Sequence, residues 1–158
     1  MSESFPLTFA GKQLLEEELK KLITVDRPAV IKAIEIAREH GDLSENADYD
    51  AAKDRQAFIE ARIGEIQNQL ANAQVIDTAN IVSEKIVFGA KVRLLDMDTD
   101  SEIQYQIVGV PEASVETGKI SVNSPIARGL IGKLEGDEVE VKAPGGLKTF
   151  EILSIEYS

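Results

Sequence analysis

The sequence predicts an α+β protein in two parts, an N-terminal antiparallel helical coiled-coil hairpin over residues 1–79 and a C-terminal antiparallel-sheet domain over residues 80–158. Three observations carry that expectation. Between Tyr49 and Ala73, apolar positions recur at alternating spacings of three and four, a sustained heptad stripe. After "NAQVIDTAN" the pattern shifts to β-branched segments in which apolar and polar residues partly alternate, the mark of strands with one buried face. Finally, 158 residues suffice for one core or for a small domain with an extension.

In the first part, Leu15, Leu19 and Leu22 form one stripe and Val30, Ile34 and Ala37 continue it beyond "DRP". Pro28 can start a helical segment but interrupts one already running, so the arm is one kinked helix or two helices in line. The second arm carries Tyr49, Ala52, Gln56, Ile59, Ile63, Ile66, Leu70 and Ala73, with Gln56 the polar member. Two such stripes joined at Gly41–Ser44 pair antiparallel, because each must cover its apolar seam and the short connection leaves no other partner within reach. At about 1.5 Å per residue, arms of roughly 28 to 30 residues give a finger on the order of 45 Å with "GDLS" at its tip.

In the second part, "KIVFGAKVRLLDMD", "SEIQYQIVGV", "KISVNS", "DEVEVKA" and "LKTFEILSIEY" read as strands. Asp96–Ser101 and Pro144–Gly146 read as turns. "PIARGLIG" reads as a short helix, with Ser124 as its cap and Pro125 at its first position.

Composition excludes several function classes. The net charge of −11, with nine Lys/Arg against fifteen Asp/Glu in residues 1–79 and eight against thirteen in residues 80–158, leaves no basic module for bulk attraction to nucleic acid. With no cysteine, thiolate chemistry and disulfides are absent, which fits a cytoplasmic setting. "MSESFPLTF" has neither a basic nor an apolar signal region, and no apolar run approaches the roughly 20 residues of a membrane span, so no membrane partner is expected.

The connection between the arms, "REHGDLSENADYD", bears two readings. Asp42 and Glu45, three residues apart, fit a capping arrangement in which Asp42 accepts from an N–H near Glu45 and Glu45 reaches back, while Gly41 supplies a left-handed helix end. Alternatively, residues three apart at a helix start point alike, so the two carboxylates can converge on one cation. Mg²⁺ suits oxygen ligands but demands six, so two exposed carboxylates hold it weakly unless another protein completes the set. His40, the single histidine, reads as a favourable helix C-terminal residue rather than a zinc ligand.

"AREHGDLSENADYDAAK", "VFGAKVRL", "ISVNSPIARGLIGK", "APGG" and "IEY" closely resemble the bacterial Gre transcript-cleavage factors, their GreA branch in particular, in order and over essentially the whole chain. The resemblance implies a protein that binds RNA polymerase, passes its coiled-coil tip through the secondary channel and stimulates cleavage of the 3′ end of backtracked nascent RNA. It would not be an enzyme on its own. Asp42 and Glu45 match the family's tip acids, which help hold a Mg²⁺ shared with the polymerase active site and orient the attacking water; the isolated protein would bind no metal tightly. The C-terminal part resembles the family's FKBP-like domain, which docks on the rim coiled coil of the largest polymerase subunit, and the matching loop is Asn123, Ser124 and Pro125 with Ile126 beside it. Prolyl isomerase activity does not follow from that fold.

The family's basic hairpin residues contact the RNA 3′ segment, and the positions available here are Arg38, Lys53 and Arg55. Asp48, Asp50 and Asp54 lie within a Debye length of the last two, which suits the GreA branch better than its more basic relatives. The same side chains can instead form i,i+3 pairs, Glu35 with Arg38 and Asp50 with Lys53. Two further readings stand beside it: a channel-occupying regulator that does not stimulate cleavage, and a plain coiled-coil adaptor.

Overall fold

The computed structural model describes residues 4–41 and 46–157, and its contacts divide the chain into two units. One comprises residues 12–73; the other comprises residues 3–11 together with 74–158. The division therefore falls elsewhere than at the 79/80 boundary expected from the sequence, because the first strand is drawn into the C-terminal unit. An α+β architecture with a helical hairpin ahead of a sheet domain is what the chain adopts.

The first arm runs through α1 (Phe9–Lys21), a π-helical turn (Leu22–Asp26) and α2 (Arg27–Glu39) without a break. The π turn has a sequence cause. Buried Leu15 and Leu22 are seven apart, whereas Leu22 and buried Val30 are eight apart, so a regular α-helix would rotate Val30 off the seam. Widening one turn absorbs the extra residue, with the Arg27 N–H bonding to the Leu22 carbonyl, and it spares Pro28 the hydrogen bond it cannot donate. The arm is thus one continuous helix carrying a π insertion.

The second arm is α3 (Ala47–Asn72), and α2 packs against it. Ala52, Ile59, Ile63 and Ile66 are buried as the heptad stripe requires, and Tyr49, Gln56 and Leu70 are half-buried along the same seam. Each fully buried isoleucine contributes about 1.5–3 kcal/mol of apolar transfer. Two bidentate pairs fix the antiparallel register: Arg27 donates to both Glu60 oxygens at 2.8 Å, and Arg62 donates to both Glu18 oxygens at 2.6 and 2.8 Å.

Hydrogen bonding from Arg62, helped by its charge, holds the Glu18 carboxyl below the usual carboxylate range. A carboxylate depressed on folding adds stability above its unfolded pKa, about 4.3, and loses it as pH falls through the lower folded value. With Glu18 43% and Arg62 26% exposed, the pair is worth about 0.5 kcal/mol after solvent screening. Arg62→Ala is accordingly expected to speed amide exchange in α1 and α3 at pH 7 and to make little difference at pH values below the folded Glu18 pKa. An equal effect at both pH values would remove the ion pair as the cause.

In the other unit, β1 (Phe5–Thr8) and β2 (Ala73–Ile76) form a two-stranded sheet that the sequence reading missed, having assigned both segments to the hairpin part. The larger sheet has the order β5-β4-β3-β7-β6, built from β3 (Lys91–Asp96), β4 (Ser101–Val108), β5 (Lys119–Ser121), β6 (Glu138–Ala143) and β7 (Gly146–Glu156). It is not wholly antiparallel as expected: β4 and β5 run parallel. The segment between them makes two 3₁₀ turns, Val110–Glu112 and Val115–Thr117, which bring β5 alongside the last residues of β4, Gln106–Val108, rather than reversing the chain in a hairpin. Both turns read from the sequence lie where expected, between β3 and β4 and between β6 and β7. A bulge at Arg93/Leu94 shifts the β3–β7 register.

One core closes this sheet: Val92, Leu94, Ile107, Phe150 and Ile152 from the strands pack with Ala127 and Leu130 of α4 (Pro125–Leu130) and with Ile86.

Candidate functional site: the hairpin end and the start of α4

Asp42 and Glu45, the candidate catalytic and metal-holding residues, lie outside the described residues. The residues on either side show how the hairpin is closed. α2 ends at His40, whose N–H reaches the Ala37 carbonyl at 3.2 Å, and Gly41 follows at φ 101°, the left-handed conformation expected of it.

The cap of α3 is Asn46, which corrects the expectation that Asp42 caps this helix with Glu45 reaching back. Asn46 has extended backbone angles, φ −94° and ψ 98°, and its carbonyl oxygen accepts from the Tyr49 N–H at 3.1 Å. Its amide also donates to the Ala37 carbonyl across the hairpin at 2.7 Å. One carboxamide therefore satisfies an orphan donor of α3 and gives the Ala37 carbonyl of α2 a second donor beside the His40 N–H, which an aspartate, having no donor, cannot do. The signal was legible in "SENAD", where an Asn-Ala step directly precedes the apolar stripe, but the acid pair three apart drew the assignment upstream.

Asn46→Ala removes both bonds. The expected result is about 1 kcal/mol of local destabilisation, read as faster exchange of the first α3 amides with α4 unchanged. Unaltered exchange at Tyr49 would assign the closure to other groups.

The basic candidates Arg38, Lys53 and Arg55 are all exposed. The i,i+3 pairs considered for them do not form: Glu35 lies 3.9 Å from Lys32 instead, and Lys53 donates to Gln56 at 3.2 Å. Among the described residues Arg38 and Arg55 have no ion pair. Arg55 lines an apolar groove of about 490 Å³ between α2 and α3, floored by Ala33, Ala37 and Ala52, with His40 and Asp48 also on its lining. The small side chains of the seam open that groove beside the hairpin end.

The docking candidates sit together at the start of α4. Asn123 and Pro125 are exposed, Ile126 packs partly against the sheet core, and the Ser124 hydroxyl accepts from the Ala127 N–H at 3.3 Å. Ser124 and Pro125 thus serve the helix start as the sequence predicts, leaving Asn123 and the Pro125 ring on the surface. Among the described residues, no three His, Cys, Asp or Glu side chains gather closely enough to hold a metal ion, and no helix is long and apolar enough to cross a membrane.

Comparison with known proteins matches both parts of the chain. Residues 5–75 match the family described as transcription elongation factor, N-terminal, and residues 81–157 match that described as transcription elongation factor, GreA/GreB, C-term. Transcription elongation factor GreA of Syntrophotalea carbinolica is 55% identical over 157 residues, 99% of each chain. GreA of Ruegeria pomeroyi is 58% identical over 156 residues, again 99% of each. The crystal structure of GreA factor homolog 1 from Thermus thermophilus is similar at 28% identity and a TM-score of 0.45, covering 98% of this chain and 99% of that one. The two family matches, in order and nearly end to end, make this chain a member of the GreA/GreB transcription elongation factor family.

Proposed function

We propose that this elongation factor acts in the cytoplasm by binding bacterial RNA polymerase, carrying the end of its hairpin through the secondary channel, and stimulating Mg²⁺-dependent cleavage of the 3′ end of backtracked nascent RNA. The observation that carries the reading is the closure of the hairpin by Asn46. With Asn46 capping α3 and tying it to α2, the helix start needs no acid at 42 or 45, and the capping explanation of those two residues loses its support. α3 alone, at 26 residues, makes a rod of about 39 Å, a length suited to presenting a tip at depth.

Asp42 and Glu45 would hold the Mg²⁺ jointly with carboxylates of the polymerase, since two side chains fall well short of six oxygen ligands. The ion supplies charge stabilisation and an activated water; the chain contributes position and negative charge. Arg38, Lys53 and Arg55 would contact the RNA 3′ segment, and Asn123, Ser124, Pro125 and Ile126 would dock on the rim coiled coil of the largest polymerase subunit. The exposed guanidinium of Arg55 beside the groove and the exposed Asn123 and Pro125 support those assignments. The test is release of short RNA from purified, stalled elongation complexes with Mg²⁺, with and without the protein. Binding without RNA release would favour a channel-occupying regulator.

A further inference from the structure

The face of the large sheet opposite its main core bears a second feature, independent of the hairpin end. Side chains alternate along strands, so Val92 and Ile107 enter the main core while Lys91 and Gln106 point to the other face. Lys91 pairs with Gln106 across β3 and β4, and Gln106 pairs with Lys119 across β4 and β5, which aligns the three as one cross-strand row. Over this row lie Phe9, Ala10 and residues 77–79, enclosing a cleft of about 350 Å³ with buried Val108 on its lining.

The charges in the cleft are unevenly satisfied. Glu112 accepts from the Thr8 N–H at 3.0 Å, from the Gly109 N–H at 2.9 Å and from the Thr8 hydroxyl. Asp77 accepts from the Ala79 N–H and the Asn80 amide. Both carboxylates thus have donors of their own. Lys91 and Lys119 are half-buried residues whose ammonium groups have neither an ion pair nor a hydrogen bond among the described residues, and among those residues the Gln106 carboxamide between them has no partner either. In a chain of net charge −11, two half-buried lysines line one cleft with no carboxylate in ion-pair contact among the described residues, which leaves their donors unused.

We propose that this cleft binds a small phosphate-bearing anion, a diphosphate or phosphomonoester held between Lys91 and Lys119 with the Gln106 amide donating to it. Charge-assisted hydrogen bonds from two ammonium groups suit tetrahedral oxyanions, and the cleft lies within the volume range of small-ligand sites. The enclosure by residues 9–10 and 77–79 favours a compact molecule over a polynucleotide backbone.

The test uses the full chain, with inorganic pyrophosphate titrated at low salt in the absence of divalent metal and ¹H–¹⁵N shifts followed. The expected result is saturable shifts centred on Lys91, Gln106 and Lys119, weakened about tenfold or more by Lys91→Gln or Lys119→Gln and unaffected by Lys142→Gln at an exposed position of β6. Unchanged dispersion of the remaining resonances shows that the variants fold. Absence of saturable shifts overturns the proposal, as does equal weakening by Lys142→Gln, which indicates diffuse attraction. Shifts of the row caused by a single-stranded RNA oligonucleotide but not by pyrophosphate also overturn it.

Discussion

Asp42→Asn is expected to lower stimulated RNA cleavage on the order of 100-fold or more while leaving folding and polymerase binding unchanged. The substitution keeps size and one oxygen acceptor but removes the negative charge that a hard cation requires. Charge stabilisation by a catalytic metal is worth several kcal/mol, and each 1.36 kcal/mol is tenfold in rate, so losing a ligand reaches about two decades. Stability is expected to hold because the first turn of α3 is capped by Asn46. Cleavage assays with stalled complexes, paired with a binding measurement and a thermal melt, separate the outcomes. Cleavage at the wild-type rate would dismiss Asp42 as a metal ligand, and a fall in melting temperature would return it to a structural role.

Gly11→Ala is the second substitution with a large expected effect, here on stability. A Cβ at Gly11 would lie 2.1 Å from the Glu112 carboxyl carbon, so the carboxylate must leave. Its departure strands the N–H groups of Thr8 and Gly109, both buried, and the Thr8 hydroxyl, which itself accepts from the Gly11 N–H at 3.0 Å to start α1. A stranded buried donor costs about 1–3 kcal/mol. In a unit of this size each kcal/mol lowers the melting temperature by about 4–8 °C. The constraint is one of space, since the position is helical and needs no unusual backbone angle. An undiminished melting temperature would show that Glu112 finds equivalent partners elsewhere and that its carboxylate does not anchor the N-terminal strand.

Reading the sequence recovered what repeats locally. The heptad stripe from Ala52 to Ile66, the turns after β3 and β6, the left-handed Gly41 and the Ser124 cap each depend on neighbours within a few residues, and each is found as expected. The eight-residue step from Leu22 to Val30 also stood in the sequence, but the proline beside it left one kinked helix or two in line open, and the structure takes the continuous helix with one wide turn. For the end of the hairpin, an acid pair three apart outweighed the asparagine that caps the helix. Only geometry across the hairpin shows that Asn46 must both accept from Tyr49 and donate to Ala37.

The chain by itself determined the two-part organisation, the antiparallel hairpin and the family, because periodicity and motif are properties of consecutive residues. Tertiary structure decided the rest. It placed β1 in the C-terminal unit, since a strand of four residues is not stable alone until the fold supplies β2 as its partner and, over a hundred positions away, the Glu112 carboxylate for Thr8. It turned β5 parallel to β4 and thereby set Lys119 beside Gln106 and Lys91. Strand register joins residues far apart in sequence, and no local period encodes which of them will meet.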